Sequence, residues 1–263
     1  MMNYRMNTLM MAGALCVAAW TLSAPVQAAD VTVGADALSS YVWRGITVNK
    51  DAVVQPSFAV EHDSGLALEV WANFDIGDND GDFEKGEFSE IDFDVSYTLD
   101  LNPVSVTLGY VEYTYPAQIE RIGNGDNGER DVVYEPVKAD RDVYVRVAME
   151  LPYGFEVDLS VYQDLSTSEG TYALLTGVYA WPLTQKLTLD VSGSVGYGAK
   201  EATAGEKAGW HDYQVGLNVG FGWTEDLLVQ AFVHHVGSLD SEVLPSESIV
   251  RDIYGGMGIY YSF

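Results

Sequence analysis

The chain is poor in cysteine and in basic residues, with one cysteine (Cys16) and 13 lysines and arginines against 39 acids in 263 residues. Cys16 lies inside an apolar leader and is preceded by Gly13-Ala14-Leu15, a poor lipoprotein box. The mature chain therefore carries no thiol for a disulfide, a thiolate metal centre or a lipid anchor. The formal charge of −26 becomes −27 once Arg5 leaves with the leader. Phosphate contacts need clustered Lys and Arg, so a nucleic-acid binder is excluded. Long hydrophobic runs are missing after residue 28, which excludes a helical membrane protein.

What is present at the N-terminus is a secretory signal. Arg5 precedes a mostly apolar run from Leu9 to Leu22, and Pro25-Val26-Gln27-Ala28 places small residues at the cleavage positions. The expected division is a signal peptide over 1–28 and one β domain over 29–263. Mean hydropathy is near zero, as when outward apolar and inward polar residues cancel.

Apolar and polar residues alternate with period 2 from Val31 to Phe263, with no competing 3.6-residue pattern. Ile91, Phe93, Val95, Tyr97 and Leu99 alternate with Glu90, Asp92, Asp94, Ser96 and Thr98. Tyr213, Val215, Leu217, Val219 and Phe221 alternate with Asp212, Gln214, Gly216, Asn218 and Gly220. Strands are expected near 31–44, 52–62, 66–76, 89–99, 104–115, 141–151, 155–165, 171–181, 186–198, 210–222, 227–236 and 249–263. Tight turns such as His62-Asp63-Ser64-Gly65 and Pro152-Tyr153-Gly154 alternate with mostly longer connections, 116–140 the longest; those near 45–51 and 166–170 are shorter. A short-turn end, a long-loop end and an even strand number predict an all-β, transmembrane, antiparallel up-and-down β-barrel of about 12 strands. Outward aromatics fall near both ends, Phe155, Trp223 and Phe263 at one and Phe74, Phe93, Tyr110, Tyr197 and Tyr213 at the other, as interfacial girdles require. The faces of the strand near 171–181 stay unassigned. The last strand, apolar at Ile253, Met257, Ile259 and Tyr261 and ending in Phe263, resembles the signature read by the barrel-assembly machinery.

Ser39-Ser40-Tyr41-Val42-Trp43-Arg44-Gly45-Ile46 is followed by Val54-Gln55-Pro56-Ser57, His62-Asp63-Ser64-Gly65 and Trp71-Ala72-Asn73. This order resembles the N-terminal hairpin of an uncharacterised proteobacterial outer-membrane family (Gcw_chp-like) with an S-x-Y-x-x-R-G-I run. The resemblance covers roughly residues 34–76 and the C-terminal strand, and implies fold and location rather than an activity.

The expected inward face is acidic. Glu69, Asn73 and Asp75 neighbour Glu90, Asp92 and Asp94, and Glu150 faces Glu156 and Asp158 across a tight turn. Inward bases are few: Arg146, Lys186 and Arg44. The expected pore-lining set is Arg44, Glu69, Asn73, Asp75, Asp92, Asp94, Arg146, Asp158 and Asp190, with Arg44 and Arg146 as counter-charges across the lumen. Charged rings set the field in a pore, so the expectation is a narrow, cation-preferring channel for small solutes in the Gram-negative outer membrane. Its expected partners are lipid, lipopolysaccharide and the assembly machinery, without a cofactor. A structural or surface-interaction barrel with a plugged lumen is the alternative. The acidic stretch 75–90 offers Asp78, Asp80, Asp82 and Glu87 as a loose calcium site, although the first EF-hand ligand position falls on Ile76. An integral hydrolase would use His211 and His235, read as outward, or pair Asp212 with His234; no outward serine accompanies them on the last four strands.

Overall fold

The computed structural model describes residues 29–81, 83, 85–116, 138–166 and 168–263. The expected signal peptide, 1–28, and most of the 116–140 connection lie outside these residues.

Two kinds of β structure are present. The strands in chain order are β1 (Ala29–Leu38), β2 (Tyr41–Trp43), β3 (Ile46–Asn49), β4 (Val53–His62), β5 (Leu66–Asp75), β6 (Phe88–Asp100) and β7 (Val104–Thr114). They continue as β8 (Asp140–Leu151), β9 (Phe155–Asp164), β10 (Thr171–Pro182), β11 (Leu187–Gly198), β12 (Gly209–Gly222), β13 (Leu227–Ser238) and β14 (Ile253–Ser262). Apart from β2 and β3, all of them close into one antiparallel barrel, with β1 pairing both β4 and β14. Closure leaves no open edge, as hydrocarbon surroundings demand. The seam runs from Thr32 opposite Ser262 to Leu38 opposite Gly256, and the Phe263 amide donates to the Val31 carbonyl at 2.9 Å.

The short-turn end is built from local side-chain chemistry. Thr184 Oγ1 accepts the amides of Lys186 and Leu187 at 3.2 and 3.0 Å, and Thr224 Oγ1 accepts those of Asp226 and Leu227 at 3.3 and 3.0 Å. Such hydroxyl-capped turns hold strands β10–β11 and β12–β13 in register.

The period-2 stripes face as expected. Leu68, Val95, Leu108, Val145, Leu159, Leu217, Val233 and Ile259 are all exposed on the outer wall. Trp181, Trp223 and Phe263 ring its short-turn end, while Phe93, Tyr197 and Trp210 lie toward the other. The strand whose faces were unassigned, β10, turns Leu175, Tyr179 and Trp181 outward and buries Tyr172, Thr176 and Val178. Leu217→Arg should therefore destabilise the barrel in lipid by about 2–4 kcal/mol, the usual magnitude for a mid-depth charge facing lipid. Urea titration in vesicles measures it; an unchanged midpoint would mean that this face does not meet hydrocarbon.

Inside the wall, glycines make room for tyrosines. Tyr144 on β8 lies where a side chain on Gly109 of β7 would stand, and Tyr260 on β14 does the same to Gly34 of β1. Large rings thus lie along the wall.

The expected first strand, 31–44, is too long. The wall strand stops at Leu38, and residues 39–52 leave the wall as an excursion containing the β2–β3 hairpin. The expected short connection near 45–51 is thus a folded insertion. Leu38 pairs Val53 directly across its base, so the barrel is complete without it. The last strand starts at Ile253 rather than at 249, because residues 239–252 form a structured loop. Both errors share a cause: hairpin and loop residues alternate like wall strands, but their partners lie across the mouth.

Candidate functional site

The hairpin lies over the long-loop mouth and is held at both ends. At its base, Tyr41 packs on Trp71 with ring centroids 5.4 Å apart, in an apolar cluster with Leu38, Val53, Val70, Val236 and Tyr254. Asn49 Nδ2 donates to Asp75 Oδ1 at 2.7 Å, an oxygen that also accepts from Asn73 Nδ2 at 2.9 Å. Asn73 in turn accepts from Gln55 Nε2 at 3.0 Å and donates to Ser89 at 3.0 Å. These fully buried amides fix the hairpin to β4, β5 and β6.

The tip crosses the lumen to the opposite wall. Arg44 and Gly45 make its turn with φ of 46° and 79°. A side chain on Gly45 would stand 2.6 Å from Asp212 Cβ and 2.9 Å from Leu244, so only glycine allows this approach. The Arg44 guanidinium donates to Asp142 Oδ2 at 2.9 Å, and Tyr113 donates to the same oxygen at 3.3 Å. Its Cζ sits 4.3 Å from the Trp43 ring centroid, 4.6 Å from that of Tyr172 and 4.8 Å from that of Tyr162. Arg44 is therefore not the wall residue expected from the sequence but the end of an arm.

Loop 239–252 completes the cover. Val243 and Leu244 are fully buried, the Arg251 amide donates to Thr47 Oγ1 at 2.9 Å, and Arg251 Nε donates to the Lys50 carbonyl at 3.0 Å. Lys207 on the neighbouring loop pairs with Glu242 and lies 3.6 Å from Asp240; the hydrogen bond to Glu242 raises its pKa above the usual lysine value.

Below the cover, Glu69, Asp92, Asp94, Arg146, Asp158 and Asp190 stand on inward positions of the wall, while Asn73 and Asp75 are buried against the hairpin base. Glu69 opposes Asp94 in the β5–β6 register, and Glu90 and Asp92 share the same inward row. Asp94 accepts from Tyr144 at 3.2 Å. Arg146 lies 3.3 Å from Glu156 and 3.5 Å from Asp158. Arg44 and Arg146, expected as counter-charges to the carboxylates, both end on the β8–β9 wall, because the hairpin carries Arg44 across. The arc toward β1 carries the acids Asp36 and Asp190 and, near the mouth, Asp212. There Asn218 donates to Gln230 at 3.1 Å, Gln230 to Tyr260 at 3.0 Å, and Tyr260 to Asp36.

The histidines are arranged differently from the hydrolase reading. His211 is buried rather than outward, because the register shift between Val195 and Tyr197 turns both His211 and Asp212 inward. Its Nδ1 lies 2.8 Å from Asp212 Oδ1, which also accepts from Tyr172 at 2.7 Å. Asp212 is thus not paired with His234, which stacks on Tyr254 and meets Gln214 at 3.1 Å. His235 is outward beside Tyr213, with centroids 5.7 Å apart. In the acidic loop, Asp78, Asp80 and Glu87 are exposed and Asp80 pairs with Lys50; Asp82 lies outside the described residues. Among the described residues no three His, Cys, Asp or Glu side chains form a group that could hold a metal ion.

A closed barrel with an apolar exterior and a polar lumen defines a porin-like protein of the outer-membrane type. Solved structures of similar fold include the KdgM porin, with 11% identity, a TM-score of 0.53, and 89% of this chain and 99% of that chain covered. The NanC porin matches with 12% identity, a TM-score of 0.50 and coverage of 89% and 99%. An outer membrane channel from Pseudomonas putida F1 matches with 13% identity, a TM-score of 0.52 and coverage of 92% and 97%. At these identities the likeness is one of fold. The chain belongs to the Gcw_chp family of bacterial proteins of unknown function, whose sequence profile matches residues 23–236. No curated protein matches it significantly.

Proposed function

We propose that the protein is a narrow, cation-preferring channel for small solutes in the Gram-negative outer membrane, covered at its outer mouth by the β2–β3 hairpin. The observation that carries this reading is the row of carboxylates, Glu69, Glu90, Asp92 and Asp94, on the inward face of β5 and β6. Arg44 and Arg146 are both engaged by carboxylates of β8 and β9, and among the described residues neither forms an ion pair with that row. A pore lined this way attracts cations and repels anions. One KdgM structure is described as a complex with oligogalacturonate, a polyanion; the carboxylate row disfavours that ligand class here.

Planar-bilayer recording under a salt gradient tests the proposal. The expected result is a small conductance with a reversal potential on the cation-selective side. An anion-selective reversal potential would overturn it. The covered mouth favours a second reading, a plugged barrel with a structural or surface role, which predicts a silent bilayer even after the hairpin is shortened.

A further inference from the structure

The two arginines of the lumen are held in different ways. Arg146 and its partners Glu156 and Asp158 all belong to β8 and β9, so that pair joins adjacent wall strands. Arg44 comes from elsewhere. Tyr113, Asp142, Tyr162 and Tyr172 stand on four consecutive wall strands, β7 to β10, and their arrangement has supports independent of the hairpin. The Tyr113 hydroxyl is bonded to Asp142, the Tyr172 hydroxyl to Asp212, and the Tyr162 ring packs on Tyr144 at 5.3 Å. Asp142 is 4% exposed and Tyr172 1% exposed.

A buried carboxylate among three rings is suited to a flat, delocalised cation. Guanidinium stacks on aromatic faces and is more weakly hydrated than ammonium, whereas a lysine presents a compact, strongly hydrated charge. Arg44 meets both demands at once, with its Cζ within 4.8 Å of the ring centroids of Trp43, Tyr162 and Tyr172 and an N–H on Asp142. Of the groups around it, only Trp43 travels with the hairpin.

We propose that Tyr113, Asp142, Tyr162 and Tyr172 form a recognition site for guanidinium-bearing organic cations, which Arg44 fills as a tethered occupant. A free guanidinium solute competes with Arg44 for this wall. Displacement releases the hairpin tip and uncovers the mouth, a consequence that rests on the channel reading, while the binding itself does not. Tethering gives Arg44 an effective concentration on the order of millimolar, so free ligand binds the intact protein weakly.

The test uses the refolded full-length mature barrel and methylguanidinium chloride, with methylammonium chloride as control at equal ionic strength. A ligand that binds only the folded state raises its melting temperature in proportion to occupancy. The expected result is a saturable rise for Arg44→Ala, at concentrations roughly tenfold lower than for the intact chain once the tethered competitor is gone. Methylammonium should give a smaller rise, and Arg44→Ala with Asp142→Asn should give none. Equal responses in the intact chain, the single variant and the double variant would overturn the proposal. Should Arg44→Ala fail to refold, Arg44→Lys keeps the charge but not the planar fork, and the same tighter binding is expected of it; no gain over the intact chain overturns the proposal. Bilayer current is read separately: binding with a silent bilayer removes the channel reading alone, whereas current without binding removes this one alone.

Discussion

Replacing residues 39–52 by a tight turn from Leu38 to Val53 is expected to convert a small or intermittent conductance into a large, steady one. The excursion leaves the wall and returns at a directly paired couple, Leu38 and Val53, so its removal breaks no rung of the β1–β4 ladder. It does remove the only described segment that joins the wall at β5 to the wall at β8, through Tyr41–Trp71 at one end and Arg44–Asp142 at the other. Twelve strands stand between the filled eight-stranded and the open sixteen-stranded barrels. Whether such a barrel conducts thus depends on what lies within it, and among the described residues that is the hairpin and loop 239–252. The shortened barrel pays for its opening in stability, since Leu38, Trp71 and Tyr254 lose apolar cover. Single-channel amplitude and open probability check the expectation; an unchanged record would mean that the block lies below the hairpin. Arg44→Ala is the milder form. It leaves Asp142 buried without its cation, at a cost of up to about 3 kcal/mol, the lower end for breaking a buried pair.

The second large effect concerns selectivity. Asp92→Asn together with Asp94→Asn should shift the zero-current potential under a salt gradient toward the anion side. A carboxylate about 8 Å from a passing ion, at an effective dielectric constant near 40, contributes on the order of 1 kcal/mol. Each lost charge then makes entry roughly fivefold less favourable for a cation and roughly fivefold more favourable for an anion, which lowers the permeability ratio by roughly 25-fold, less at high salt where screening is stronger. Asp158→Asn should do less, because that carboxylate already faces Arg146 at 3.5 Å and carries less uncompensated charge. Equal effects of the two changes would sink the assignment of selectivity to β5 and β6. The asparagines preserve side-chain size, so a narrowed lumen is not an explanation for either result.

The sequence by itself determined the barrel wall and its two faces. Period-2 alternation is a local property: once Ile91, Phe93 and Val95 face one solvent, Glu90, Asp92 and Asp94 must face the other. The inward carboxylates of β5 and β6 were legible for that reason, as were the short turns, whose hydroxyl caps act within three residues. The tertiary structure alone decided the rest. Residues 41–49 alternate like wall strands, and nothing local says that they leave the wall; Arg44 finds Asp142 98 positions away, through closure of the barrel rather than through any nearby residue. His211 turns inward because β11 and β12 shift register beside it, an event that a pattern of alternate residues cannot contain. Faces follow from the geometry of one strand, but what crosses the lumen follows from which strands closure sets opposite each other.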